Sequence, residues 1–346
     1  MRILLTADPE LPVPPQLYGG IERIVDLLVT GLQSRGHNVG LVAHPESRSR
    51  ANQFFPWRGK RSHNKFDVVK NTITLWSAVQ QFQPDVVHSF SRVFYLLPLL
   101  SSRLPKVMSY QRYPSHRTTS WGIKVAQDSL TFTGCSDYIC HVGQTGGGVW
   151  HTIHNCVDLE KYTFQPTVAA DAPLVFLSRV ERIKGAHTAI AIARKTGRTL
   201  IIAGNHSTDG EAGQYWQEEI VPHLGKDGIE YIGSINDAQK NELLGQAAAM
   251  IVPIEWEEPF GIVFAEALAC GTPVISSPRG ALPEIVRHGI DGYLINSIEE
   301  GVVAVQQLPI IERYKCRQRA ENCFSSDVIL NQYESLYQLL THNNSN

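Results

Sequence analysis

Glu257–Val286 reads EEPFGIVFAEALACGTPVISSPRGALPEIV. It sets two carboxylates, Glu258 and Glu266, eight positions apart across the turn Pro259-Phe260-Gly261. Small apolar residues follow at helical spacing over Gly261–Cys270, and a short apolar strand is expected at Pro273–Ser276. The start of that helix offers unpaired backbone N–H groups and the positive end of the helix dipole, which suit a phosphate. A carboxylate two turns further on can accept hydrogen bonds from sugar hydroxyls. The plainer reading gives both carboxylates no more than a favourable dipole interaction, and the neighbouring Glu255 and Glu257 dilute the signal. Against it, Glu266 lies among Ala265, Ala267, Ala269 and Cys270, where a charge is costly without a partner.

The same alternation of apolar strand and amphipathic helix runs through the whole chain. In the first half strands are expected at Arg2–Ala7, Asn38–His44, Asp85–Ser89, Lys106–Tyr110 and Leu130–Cys135. In the second half they are expected at Leu174–Ser178, Thr199–Ala203, Glu230–Gly233, Met250–Ile254, Pro273–Ser276 and Tyr293–Ile295. Helical periodicity marks Ile21–Arg35, Ile73–Phe82, Ala186–Lys195, Asp237–Ala247 and, at the end, Asp327–Leu340, before a tail expected to fray. Continuous apolar strands separated by helices predict parallel sheets covered on both faces, an α/β protein. A linker-like stretch, QPTVAADAP at Gln165–Pro173, separates two such series, as expected of two doubly wound domains in tandem. The basic, irregular stretch Ser47–Lys65 is assigned no regular element.

With 43% hydrophobic and 18% charged residues, the 346-residue chain has the composition of a globular enzyme-sized protein. It has no apolar run long enough to span a bilayer, and MRILLTADPE reads as a strand rather than a signal peptide. The six cysteines are scattered without a CxxC pair, so they are expected as reduced thiols in a cytoplasmic protein. Charge is uneven. Residues 1–165 carry 17 Lys and Arg against 11 Asp and Glu, and the remainder 14 against 22. A first half near +6 points to an anionic partner or surface on that side. There is no Asp-x-Asp and no His/Cys/Asp spacing of a metal site, so neither a metal nor another cofactor is expected. The absence of a Gly-x-Ser-x-Gly elbow, a Walker loop and a G-x-G-x-x-G turn counts against a hydrolase, a nucleoside triphosphatase and a nicotinamide dehydrogenase.

Several further segments carry chemistry, each with a bland alternative. Gly19-Gly20 opens a helix, where paired glycines let the backbone approach a ligand; the alternative is an ordinary loop-to-helix turn. Arg179 and Lys184, in SRVERIKG, follow the first strand of the second domain and can clamp a diphosphate. Arg182 competes for that role, and a solvated charged loop is the alternative. His88 ends a strand at the crevice edge and could donate to a substrate, although a lone histidine is more often structural. Asn155 and Asp158 could cap a turn, and His141, Gln144 and Gly146–Gly148 form a loop that could contact ligand. The basic and aromatic residues of Ser47–Lys65 could meet a membrane surface or an anionic acceptor, or form an exposed loop with its aromatics tucked in. Nothing supports nucleic-acid binding.

In order along the chain, Gly19-Gly20, DVVHS (Asp85–Ser89), IHNCVD (Ile153–Asp158), SRVERIKG (Ser178–Gly185), EPFGIVFAE (Glu258–Glu266), ACGTPVISSPRGALPEIV (Ala269–Val286) and HGIDGYLI (His288–Ile295) resemble the retaining family 4 glycosyltransferases of the GT-B fold, the glycosyl transferases group 1. The resemblance implies two Rossmann-like domains facing across a cleft. Residues 1–165 would form the acceptor side and 166–325 the donor side, with 326–346 a C-terminal helix that crosses back to the first domain and a frayed tail. It implies transfer of a sugar from a nucleotide diphosphate sugar to a saccharide, lipid-linked or small-molecule acceptor, with retention and without metal. Arg179 and Lys184 would hold the diphosphate, and Glu266 the ribose hydroxyls. Glu258, Pro259 and the Phe260-Gly261-Ile262-Val263 backbone would hold the donor sugar and its phosphates. Gly19 and Gly20 would close on the diphosphate, and His88 would contact the sugar. The chain departs from the family pattern at Phe90, where many relatives have the second histidine of His-x-His, at Cys156 in place of the usual glycine, and at Gln111-Arg112. Rival readings are a nucleotide-sugar epimerase of the same fold, a glycogen-synthase-like polymerase, which the short chain disfavours, and a non-catalytic sugar-nucleotide-binding protein. The basic first domain adds an expectation of transient contact with the inner face of the membrane.

Overall fold

Strands buried on both faces need helices on both sides, and the chain builds that arrangement twice. The computed structural model describes residues 1–15 and 19–343. Two compact units result, Met1–Cys156 with Ser326–Asn346, and Val157–Ser325.

The first unit holds a seven-stranded sheet of β1 (Arg2–Thr6), β2 (Asn38–Ala43), β3 (Gln53–Pro56), β4 (Val86–Ser89), β5 (Lys106–Tyr110), β6 (Leu130–Gly134) and β7 (Trp150–Thr152), in the order β3-β2-β1-β4-β5-β6-β7. Every pairing is parallel. Its helices are α1 (Gly20–Ser34), α2 (Lys65–Phe82), α3 (His116–Ala126) and α4 (Asp137–Gln144), with a 3-10 segment at Val93–Leu99. The second unit repeats the plan with β8 (Leu174–Leu177), β9 (Leu200–Ala203), β10 (Ile229–Gly233), β11 (Ala249–Val252), β12 (Val274–Ser276) and β13 (Gly292–Leu294). Their order is β10-β9-β8-β11-β12-β13, again all parallel. Its helices are α5 (Ala186–Thr196), α6 (Gly210–Tyr215), α7 (Asp237–Gln246), α8 (Ile262–Ala269), α9 (Leu282–Ile285), α10 (Ile298–Gln307) and α11 (Arg313–Phe324).

The last helix, α12 (Ser326–Asn343), belongs to the first unit. It lies so close to α1 that a Cβ added to Gly31 would sit 2.3 Å from Leu330. Arg35 bonds Asn331 (2.6 Å) and pairs with Asp327 (3.0 Å) and Glu334, and His37 reaches Glu334 at 2.6 Å. The tail expected to fray lies partly outside the described residues, and so do Gln16, Leu17 and Tyr18 of the loop before Gly19.

The structure differs from the sequence reading at the unit boundary, in Ser47–Lys65 and at the start of α2. The units divide after Cys156, not after residue 165. The intervening segment is fastened to the second unit: Val157 N donates to Phe324 O (2.7 Å), Gln165 N to Cys270 O (3.0 Å), and Arg313 Nε to Gln165 O (2.7 Å). Ser47–Lys65 contains the edge strand β3, and its aromatics turn inward, since Phe55 and Trp57 are buried and Trp57 Nε1 donates to Ala7 O at 2.8 Å. Helix α2 begins at Lys65 rather than Ile73, capped by Asn64, whose side chain accepts from Phe66 N and Asp67 N.

Candidate active site in the second unit

In a doubly wound sheet the crevice opens where the strand order reverses, beyond the carboxyl ends of the strands. In the second unit that point lies between β8 and β11. The chain leaving β8 makes the 3-10 turn Arg182–Lys184 and enters α5 through Gly185, at φ 77°. A Cβ there would lie 2.0 Å from Pro253 O, just past β11, so only glycine permits the approach. Glu255 N donates to Ile183 O at 2.8 Å, which fixes the two loops to each other.

That junction brings Lys184 to Glu258. The Lys184 ammonium lies 2.5 Å from Glu258 Oε2 and 4.6 Å from the centre of the Trp256 ring. Trp256 Nε1 donates to the same carboxylate oxygen at 3.0 Å. Both charged residues are 8% exposed, so each needs the other to offset its desolvation. The Glu258 backbone is held as well. Ala281 N donates to its carbonyl (2.9 Å), and Gly280, at φ 57°, packs so tightly that a Cβ would meet Glu258 O at 2.2 Å. Glu257 accepts from Gly280 N at 2.5 Å.

The turn after Glu258 explains its own sequence. Phe260 is buried edge-to-face against Phe324, with ring centroids 5.7 Å apart, and so anchors the loop instead of facing a ligand. Gly261 takes φ 79° as the residue before α8, and no side chain caps that helix start. The first N–H groups, those of Ile262 and Val263, therefore begin a helix with no side-chain cap.

Glu266 lies on α8 and is 8% exposed. Two donors meet its Oε1: the Tyr162 hydroxyl at 2.6 Å and the Lys240 ammonium at 2.7 Å. Lys240 also stands over the Tyr162 ring, 5.4 Å from its centre. Burial and the Glu266 charge hold the Tyr162 hydroxyl well above its ordinary pKa, so it stays a donor. Burial, reinforced by the same charge, pushes the Cys270 thiol up to about 12 and keeps it protonated.

The other cations are committed differently. Arg179 follows β8, bonds Glu181 Oε1 at 2.5 Å and is 42% exposed in its side chain. Arg182, the competing cation, pairs with Glu219 and lies over the Tyr215 ring. His187 pairs with Glu255 at 2.9 Å, and burial lowers its pKa despite that partner.

Gly19, Gly20 and His88 belong to the first unit. Gly19 precedes α1 at φ 154°, and a Cβ there would approach Pro15 (2.7 Å) and Glu22 Oε2 (2.8 Å). His88 is a correction to the sequence reading. It is completely buried, with Nδ1 2.6 Å from the Tyr337 hydroxyl and Nε2 2.6 Å from Ser109 Oγ. Phe90, Tyr333 and Tyr337 surround its ring. Burial lowers its pKa to about 3, so it is a neutral core histidine with both nitrogens occupied and none left for a substrate. Asp158 takes the bland role, accepting from Glu160 N at the start of the turn Leu159–Lys161.

The sequence reading missed Tyr162, Lys240 and Trp256. Trp256, two residues before Glu258, lay within reach of it; Tyr162 and Lys240 come from distant segments and show nothing in their local pattern. Among the described residues no group of three or more His, Cys, Asp and Glu could hold a metal ion.

Two family models tile the chain. The one described as Glycosyltransferase Family 4 matches residues 18–161, and glycosyl transferases group 1 matches 163–318. The glycogen synthase of Mycobacterium tuberculosis is 26% identical over 345 residues, spanning 84% of this chain and 81% of that protein. Among solved structures, sucrose-phosphate synthase from Thermosynechococcus elongatus superposes with a TM-score of 0.80 at 19% identity, covering 99% of both chains. HepE from Anabaena, solved with UDP-glucose, gives 0.74 at 18% identity, covering 98% of this chain and 100% of that one. These structures share the fold.

Proposed function

The chain belongs to the family 4 glycosyltransferases of the GT-B fold, nucleotide-sugar enzymes, and on that premise we propose that it transfers a hexose from a nucleoside diphosphate to a hydroxyl acceptor with retention and without a metal ion. The observation that supports this most is the cluster at the ends of β8 and β11: Lys184 and Glu258 paired beside an uncapped helix start, with Glu266 one turn beyond it. Charge develops on the departing diphosphate. Lys184 and the N–H groups of Ile262 and Val263 would neutralise it, together with Arg179 once it lets go of Glu181. Lys184 would exchange part of its hold on Glu258 for the phosphate, and Glu258 would then accept from sugar hydroxyls. Glu266, steadied by Tyr162 and Lys240 through Oε1, would offer Oε2 to the ribose.

The anomeric C–O bond to the diphosphate breaks, and the bond to the acceptor oxygen forms on the same face. The acceptor proton passes to the departing phosphate oxygen. His88 has no part in this step. UDP-glucose is the first donor to test, because HepE binds it. An α-glucan end joins the acceptor panel of saccharides, lipid-linked sugars and small molecules. The chain matches 81% of the glycogen synthase length, so chain length gives no ground against an elongating enzyme.

Thermal melting with UDP-, GDP-, ADP- and dTDP-sugars tests the reading. A true donor raises the midpoint by mass action, and one nucleotide class is expected to stand apart. Product NMR with that donor should show the starting anomeric configuration, and a chelator should leave turnover unchanged. An inverted product, or no stabilisation by any nucleotide sugar, would overturn the proposal.

A further inference from the structure

Helix α2 is apolar on its outward side. Phe66 is 80% exposed, and Val69, Ile73 and Trp76 are 48–58% exposed, at spacings that place them along one stripe. The opposite face of the same helix, including Leu75, Ala78, Val79 and Phe82, is buried in the first unit. The adjoining 3-10 segment extends the stripe with Phe94 and Leu97, 47% and 45% exposed, and Phe94 stacks on Trp121 of α3 at 5.5 Å. Thr72 of α2 donates to Phe94 O at 3.3 Å, fastening the two elements together. A run of exposed large apolar side chains on adjoining elements is unusual for a free surface.

The charge around this stripe is one-sided. Between Glu46 and Asp128 the chain has 13 Lys and Arg and only two carboxylates, Asp67 and Asp85. Both carboxylates are already engaged, Asp67 with the N–H groups of Lys60 and Arg61 and Asp85 with Arg2 N. Arg58, Lys60, Arg61, Lys65, Lys70 and Lys124 remain exposed. A second copy of this chain would bring the same cationic rim against itself, which opposes a homodimer through this face. An apolar stripe set among cations fits the headgroup region of an anionic bilayer, where the apolar side chains enter the acyl boundary and the cations stay with the phosphates.

We infer that α2, the segment Val93–Leu99 and α3 form a monotopic docking surface for anionic lipid. The apolar stripe lies on α2 and Val93–Leu99 rather than on Ser47–Lys65, where Phe55 and Trp57 are buried and which adds only cations to the rim. The described residues include no helix long and apolar enough to span a membrane, so the contact is peripheral.

Co-sedimentation of the full chain with vesicles of phosphatidylcholine, alone or mixed with phosphatidylglycerol, tests it. Binding is expected only with the anionic mixture and should weaken as salt rises. The pair Phe66→Ser with Trp76→Ser, and separately Lys65→Glu with Lys70→Glu, should each lower the bound fraction about tenfold. Both variants should melt like the wild type, since all four side chains are exposed. Equal binding to neutral and anionic vesicles, or undiminished binding by both variants, would overturn the inference. So would a concentration-dependent dimer abolished by Phe66→Ser with Trp76→Ser.

Discussion

The two units share one sheet plan and differ in what they place at its reversal point. In the first, the ends of β1 and β4 close on themselves: Thr6 Oγ1 bonds Ser89 Oγ (3.0 Å) and Ser91 Oγ (2.7 Å), and His88 is shared between Tyr337 and Ser109. In the second, the ends of β8 and β11 carry Lys184 and Glu258 beside a bare helix start. A polar residue at a strand end is thus structural or functional according to whether the protein already satisfies it. His88 is fully satisfied by α12 and β5. The Lys184–Glu258 pair balances its charges yet sits beside a helix start that no side chain caps.

The largest effect is expected at Lys184. Lys184→Ala should cut turnover by about a hundredfold or more, because a charge facing the leaving group acts chiefly in the transition state. The substitution also leaves the buried Glu258 carboxylate without its counter-charge, so calorimetry should show a loss of about 3–5 kcal/mol in stability beside the kinetic loss. At the opposite pole, His88→Phe should destabilise by about 1–3 kcal/mol through the Tyr337 hydroxyl it leaves unpaired, since Ser109 keeps its bond to Thr133, read from urea unfolding. Its donor affinity should match the wild type.

A pH titration sharpens the same point. The folded pKa of His88 is about 3, below the ordinary value of about 6.5, so the unfolded chain binds the proton first. The stability that neutral His88 contributes is full above about pH 6.5 and is lost progressively as pH falls towards about 3. The slope due to His88 alone is at most about 1.4 kcal/mol per pH unit, and it should disappear in His88→Phe. The smallest effect belongs to Arg182→Ala. That cation is held by Glu219 and Tyr215, so donor affinity should move by less than about twofold, as measured by calorimetric titration.

Strands with a continuous apolar run were legible from sequence almost to the residue, as Lys106–Tyr110 shows. The edge strands β3 and β7 were not: each is short, and Gln53–Pro56 sits in a basic stretch that reads as a loop. The first two turns of α2 were hidden because their pattern is inverted, with Asn71 buried and Phe66 and Val69 exposed. The same inversion marks the proposed lipid surface. In the site, Glu258 and Glu266 stood out because charges among small apolar residues need a reason. Tyr162 and Lys240 reach Glu266 from segments 104 and 26 residues away, so no local spacing could reveal them. His88 was placed on the correct strand, but only the tertiary structure shows that α12 encloses its ring.

The most direct test of the central contrast is donor protection against thermal unfolding in two variants, Glu266→Ala and His88→Phe, beside the wild type. With the donor class found in the nucleotide-sugar screen, the wild type and His88→Phe should show the same rise in melting temperature on donor addition, from different starting points. Glu266→Ala should show little or none. Donor protection that survives in Glu266→Ala but vanishes in His88→Phe would contradict the account and move the donor site to the first unit.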